Sequence, residues 1–147
     1  MESVSRRGPP LSLVLDSSIT LARVFPDEWT PEILRVFTDN VAHGAWVPDL
    51  WKIEIANVLS VSVRKGRMTM ERRDAVLANL QILPISIDAE TGQRAWKETL
   101  ALSDRHNLTV YDATYLELAL RRSLPLATLD RDLRRAAEAE SVPLLGI

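Results

Sequence analysis

A chain of 147 residues that is 46% hydrophobic and 26% charged carries enough apolar material for a compact domain, which excludes disordered and fibrous classes. It has no cysteine and two histidines, and so excludes a disulfide framework, a thiolate zinc site, a cysteine nucleophile and a histidine-rich metal site. A net charge of −2 argues against coating nucleic acid by bulk electrostatics, and no apolar run approaches the roughly 20 residues that span a bilayer.

Residues 1–147 read as one domain, with no repeat, low-complexity tract or long linker. Residues 1–10 are polar and bear proline and glycine, and they lack a secretory apolar segment. They are expected to be a loose leader on a cytoplasmic protein. Residues 12–15 form an apolar first strand, followed by a short helix over 18–24 that breaks at Pro26. Thr30 as N-cap, with Pro31 at the first helical position, predicts a helix running to just before Gly44. Strand two covers 45–47 and a helix follows over 50–65, ended by Gly66. Thr69 caps a helix to about 80, and 84–87 is strand three. Asp88 is expected to cap a helix reaching 105, and Thr109 with Asp112 opens another that ends near 122. Strand four lies at 126–128, a helix at 131–140 and a final strand at 142–145. Strand–helix alternation of this kind places the chain in the α/β class, with a mostly parallel, doubly wound sheet.

Four acids interrupt that apolar pattern. Asp16 and Asp130 lie just beyond strand ends, where ligands of open parallel sheets bind. Glu54 shares a helix face with Trp51 and Val58, and Asp112 shares one with Leu108, Tyr115, Leu116 and Ala119, so both point inward. Each acid alone has an ordinary explanation as a helix cap or a paired surface group. Four independent caps do not explain the set, because unpaired buried carboxylates are costly and must gather around something positive. All-oxygen ligation points to Mg²⁺ or Mn²⁺, and so to metal-assisted phosphodiester cleavage. With four of the 20 acids committed to metal, 16 acids face 18 Lys and Arg, a remaining balance of +2.

The runs Val14-Leu15-Asp16-Ser17-Ser18, Glu54-Ile55-Ala56-Asn57-Val58-Leu59, Leu108-Thr109-Val110-Tyr111-Asp112-Ala113-Thr114 and Leu126-Ala127-Thr128-Leu129-Asp130 closely resemble the PIN domain. More narrowly they resemble its VapC-type ribonuclease toxins, in order and over nearly the whole chain. The resemblance implies a three-layer α/β/α sandwich around a mostly parallel sheet of four or five strands. It also implies a metal-binding and catalytic quartet of Asp16, Glu54, Asp112 and Asp130, with Thr128 and Asn57 in support and Asp132 as a possible extra acid. Trp51, one turn before Glu54, is bulky enough to narrow the pocket's entrance. An RNA substrate cut to a 5′-phosphate and a 3′-hydroxyl, a homodimer and a VapB-like antitoxin follow from the same resemblance.

Arg64, Lys65, Arg67, Arg72, Arg73, Arg121, Arg122 and Arg131 are the cations available for substrate phosphates. Residues 51–80 carry apolar excess for an interface, including Val61, Val63, Met68 and Met70. A receiver-like domain would want paired acids at strand one, and an aspartyl-phosphate phosphatase would want Asp-x-Asp. Neither matches Asp16-Ser17-Ser18. A housekeeping PIN nuclease in RNA processing and a non-catalytic domain retaining the fold are the alternative functions.

Overall fold

The structure, a computed structural model, describes residues 12–147, so the expected leader lies outside the described residues. Five strands, β1 (Leu13–Leu15), β2 (Ala45–Pro48), β3 (Ile85–Asp88), β4 (Leu126–Ala127) and β5 (Leu144–Leu145), form one all-parallel sheet in the order β3-β2-β1-β4-β5. The three residues of β1 are fully buried, which is why this strand is a continuous apolar run rather than an alternating one.

From β1 the chain steps outward through β2 to β3, then returns to the other side of β1 for β4 and β5. The gap between β1 and β4 is therefore the point where strand order reverses, and crevices at such points receive ligands. Leu15 pairs with Ala127 there, and the Asp16 N–H donates to the Ala127 carbonyl at 3.0 Å, so Asp16 and Thr128 emerge side by side.

The helices are α1 (Ser17–Val24), α2 (Pro31–Arg35), α3 (Trp51–Arg64), α4 (Met70–Gln81), α5 (Thr91–Arg94), α6 (Leu100–His106), α7 (Val110–Arg122) and α8 (Arg131–Ala139). Right-handed crossovers place α1–α4 on one face of the sheet and α5–α8 on the other, giving three layers. Thr30, Thr69 and Thr109 accept from the N–H three residues on at 3.1 Å, each cap stabilising its helix by about 1 kcal/mol.

Two expectations are corrected. The helix predicted from Thr30 to before Gly44 is regular only over α2; it widens into a π turn over Val36–Asn40 and tightens to a 3₁₀ turn at Val41–His43. Val36, Thr38, Asp39 and Val41 are all weak helix formers, and the cap at Thr30 cannot extend its influence that far. Asp88 does not cap a helix. It ends β3, α5 begins later with Glu90 at its N-cap, and the Asp88 carboxylate receives Arg121 Nη2 at 2.6 Å and Nη1 at 3.1 Å.

Helix α7 is more enclosed than a one-faced helix. Seven consecutive residues, Ala113 to Ala119, are buried because α6 and α8 flank it above the sheet. Past β5, Gly146 adopts φ +108°, and a Cβ there would stand 2.6 Å from Ile19 Cδ1 of α1, so only glycine lets the chain end close over that helix. Trp51 is buried at 4% exposure beside an apolar crevice of about 220 Å³ between α3, α4 and β3, packed into the body rather than narrowing an entrance. Of the apolar residues expected to be in excess, Met68 belongs to the core and Met70 is exposed.

Candidate metal centre

Asp16 is 4% exposed and heads α1 without capping it through its side chain. Its Oδ2 accepts from Ser18 Oγ at 2.6 Å and from Thr128 Oγ1 at 2.7 Å. Burial pushes this carboxyl up; the two hydroxyls oppose the shift and the nearby charge of Asp130 adds to it.

Glu54, half-buried near the start of α3, accepts a hydrogen bond from the Tyr115 hydroxyl of α7. The contact joins the helical layers on opposite faces of the sheet. Partial burial pushes Glu54 up, the Tyr115 bond counters it, and the charge of Asp16 raises it further. Tyr115 is itself driven upward, first by burial and then by the charges of Asp16 and Glu54, so its hydroxyl remains a donor.

Asp112, half-buried in the first turn of α7, is pushed up to about 6 by desolvation and then by the charges of Asp130, Asp16 and Glu54. Its backbone N–H, not its carboxylate, completes the Thr109 cap. Asp130 caps α8 by accepting from the Leu133 N–H at 2.8 Å, and its own N–H donates to Thr128 Oγ1 at 3.0 Å. Asp132 faces solvent and pairs with Arg135 at 2.9 Å, whereas the charge of Asp130 acts on Asp16 and Asp112.

The four acids from four elements therefore share one electrostatic environment. None of them takes part in an ion pair among the described residues. Nor, among those residues, do three acidic or imidazole side chains stand in ready-made chelating positions. The carboxylates of Asp16, Glu54 and Asp130 instead accept from hydroxyl or backbone donors. Hard oxygen donors, with Asp16, Glu54 and Asp112 raised by burial and neighbouring charge and Asp16 almost wholly buried, fit a hard divalent cation by charge and by chemistry.

The remaining expected residues divide. Thr128 joins the acids directly, whereas Asn57 is exposed on α3 and makes no recorded hydrogen bond to them. Arg121 is engaged by Glu117 and Asp88, and Arg122 lies 3.3 Å over the Trp46 ring, so neither is free for phosphate. Arg72 donates to the Val24 carbonyl and Arg73 pairs with Asp74. Arg67 alone of the eight lines the cleft of about 830 Å³ that Ser18 and Asp130 share. Sequence reasoning missed Ser18 and Tyr115 as members of the site. Their signals were Ser18 lying two residues after Asp16, and Tyr115 sharing the inward face of Asp112.

The class these features define is a parallel α/β domain with an acidic centre at the switch point of its sheet. The chain belongs to the PIN-domain family, whose model matches residues 13–139. It is 30% identical over 135 residues to ribonuclease VapC3 of Pyrobaculum aerophilum, covering 92% of this chain and 98% of that relative. Among solved structures, VapBC2 from Rickettsia felis bound to a DNA fragment from their promoter superposes with a TM-score of 0.61 at 12% identity, over 91% of this chain and 97% of that one. Mycobacterium tuberculosis VapC20, a sarcin–ricin loop cleaving toxin, gives 0.58 at 14% identity, over 84% and 94%. At these identities the two structures show the shared fold.

Proposed function

We propose that this chain is a metal-dependent endoribonuclease of the VapC type, the toxin of a toxin–antitoxin pair. The observation that carries the reading is the quartet Asp16, Glu54, Asp112 and Asp130 at the β1–β4 switch point, the first three raised by burial and by neighbouring acids, and none in an ion pair among the described residues. Whole-length similarity to a named ribonuclease supports the same activity.

Asp16, Glu54, Asp112 and Asp130 would hold Mg²⁺ or Mn²⁺. When bound, such an ion supplies a Lewis acid and an activated water for in-line attack on phosphorus. The chain's own part is orientation: Tyr115 holds Glu54, while Ser18 and Thr128 hold Asp16. Arg67, at the rim of the shared cleft, is placed to meet a substrate phosphate.

That cleft also suits an antitoxin. Its walls include Leu21, Ala22, Phe25 and Val58, and its rim carries Asp27, Glu28 and Asp130. A segment with apolar and basic side chains would match both, with its cations competing for the acids. A homodimer in the cytoplasm belongs to the same reading, and Ile53, Trp96 and Tyr111 are large apolar side chains left in solvent for it. No helix among the described residues is long and apolar enough to cross a membrane.

Thermal melts test the metal. At about 100-fold excess over the dissociation constant, binding to the native state alone stabilises by about 2–3 kcal/mol. The pH dependence follows from Asp112. Its folded pKa lies above its ordinary value of 3.8, at about 6, so the metal-free native state binds more protons than the unfolded chain between those values. Stability without metal should therefore fall as pH rises through that window. The Mg²⁺-induced rise in Tm should accordingly be larger at about pH 7.5 than at about pH 5. An unshifted wild-type melt, or an equal shift in Asp16→Asn, would sink the shared centre.

A further inference from the structure

Two hydroxyls from different segments converge on a single oxygen of Asp16. Ser18 Oγ donates to Oδ2 at 2.6 Å and Thr128 Oγ1 donates to the same atom at 2.7 Å. Each hydroxyl is pinned from behind, because the Leu129 N–H donates to Ser18 Oγ and the Asp130 N–H to Thr128 Oγ1, both at 3.0 Å. A hydroxyl has one proton to give, so both runs have a fixed direction, from backbone to hydroxyl to carboxylate. The lone pairs of Oδ2 are thereby committed, while Oδ1 takes neither hydroxyl.

We propose that Ser18 and Thr128 are positioning residues that make Asp16 meet its cation through Oδ1 alone, and that this clamp sets a preference for Mg²⁺ over Ca²⁺. The inference rests on the metal-centre reading and deepens it. Mg²⁺ demands compact octahedral ligation and takes few carboxylate oxygens, whereas Ca²⁺ accepts six to eight oxygens and readily takes a carboxylate by both. Two-oxygen ligation by Asp16 would require at least one of these charge-assisted hydrogen bonds to break. Thr128 also ties the positions of two acids, since the hydroxyl that donates to Asp16 is held by the backbone of Asp130.

Calorimetric titration of Mg²⁺ and of Ca²⁺ into the full chain tests this, on wild type, Ser18→Ala, Thr128→Val, Thr128→Ser and Asp16→Asn. Loss of an outer partner lowers metal affinity by roughly 10–100-fold, and that loss should fall on Mg²⁺. Ca²⁺ should lose much less, since the freed Oδ2 becomes available to it. The Mg²⁺-to-Ca²⁺ affinity ratio should therefore drop by about tenfold or more in Ser18→Ala and Thr128→Val. Thr128→Ser restores a hydroxyl and should restore the ratio. A purely structural role would lower the melting temperature and weaken both cations equally. An unchanged ratio in folded variants would overturn the clamp and leave the metal centre standing. Absence of Mg²⁺ binding in wild type, or undiminished binding in Asp16→Asn, would overturn both. Thr128 is fully buried and Ser18 half-buried, so if Thr128→Val does not fold, Ser18→Ala decides alone.

Discussion

Asp112→Asn should lower RNA cleavage by roughly 100–1,000-fold while leaving the fold intact, the scale expected when one preorganised charge-stabilising group is lost from a site. The substitution preserves shape, and the Thr109 cap survives because it is closed by the backbone N–H of residue 112. What disappears is a negative ligand whose pKa, about 6, reports that its charged form is disfavoured by burial and by three neighbouring acids. At neutral pH the neutral amide relieves that repulsion, so the metal-free variant should melt no lower than wild type. Lost activity without lost stability separates a ligand from a structural residue. Growth inhibition on expression should vanish in the same variant. Full cleavage by folded Asp112→Asn protein would refute the assignment, and harmless expression of wild type would remove the toxin reading while sparing the nuclease.

The architecture was legible because β1 and β4 are short apolar runs closed by Asp16 and by Thr128-Leu129-Asp130, and because threonine caps punctuate the helices between them. The inward direction of Glu54 and Asp112 was legible from helical periodicity, since Trp51, Ile55, Tyr115 and Leu116 mark the buried faces. The Ser18–Thr128 clamp was not, because it depends on the pairing of β1 with β4, a contact between residues 110 apart in the chain. The breakdown of the helix after Arg35 was missed because a strong N-terminal cap masks weak propensity downstream. Arg121 misled differently. It stood among the cations available for substrate phosphates, yet α7 is enclosed on both flanks and its i,i+4 pair with Glu117 is nearly buried.

Arg121 therefore supports the fold instead of touching substrate, and Arg121→Met should cost about 3–5 kcal/mol, the penalty for leaving buried carboxylates without their cation. Asp88, 1% exposed, and Glu117, 5% exposed, both receive the guanidinium, at 2.6 Å and 2.8 Å. Arg122 stands 3.9 Å from Asp88, which limits the loss without replacing two paired bonds. Arg121→Lys should recover only part of it, since a single ammonium cannot reproduce the planar fork. Burial pushes the Asp88 carboxyl up, but the hydrogen bonds and charge of Arg121 outweigh it and hold the group below its ordinary range. In wild type the stability linked to Asp88 is present above that ordinary value and is lost as pH falls through the lower folded one. In Arg121→Met the strongest counterweight to desolvation is lost, so Asp88 takes its proton more readily and the penalty should shrink as pH falls from about 7 towards about 4. Denaturant unfolding of both proteins across that range measures the difference. Because the Arg121 ion pairs lie at the opposite end of α7 from Asp112, the variant should keep its Mg²⁺ affinity and its cleavage rate wherever it remains folded. A folded Arg121→Met protein of unchanged stability but weakened RNA binding would return Arg121 to the substrate-contacting cations and remove it from the core.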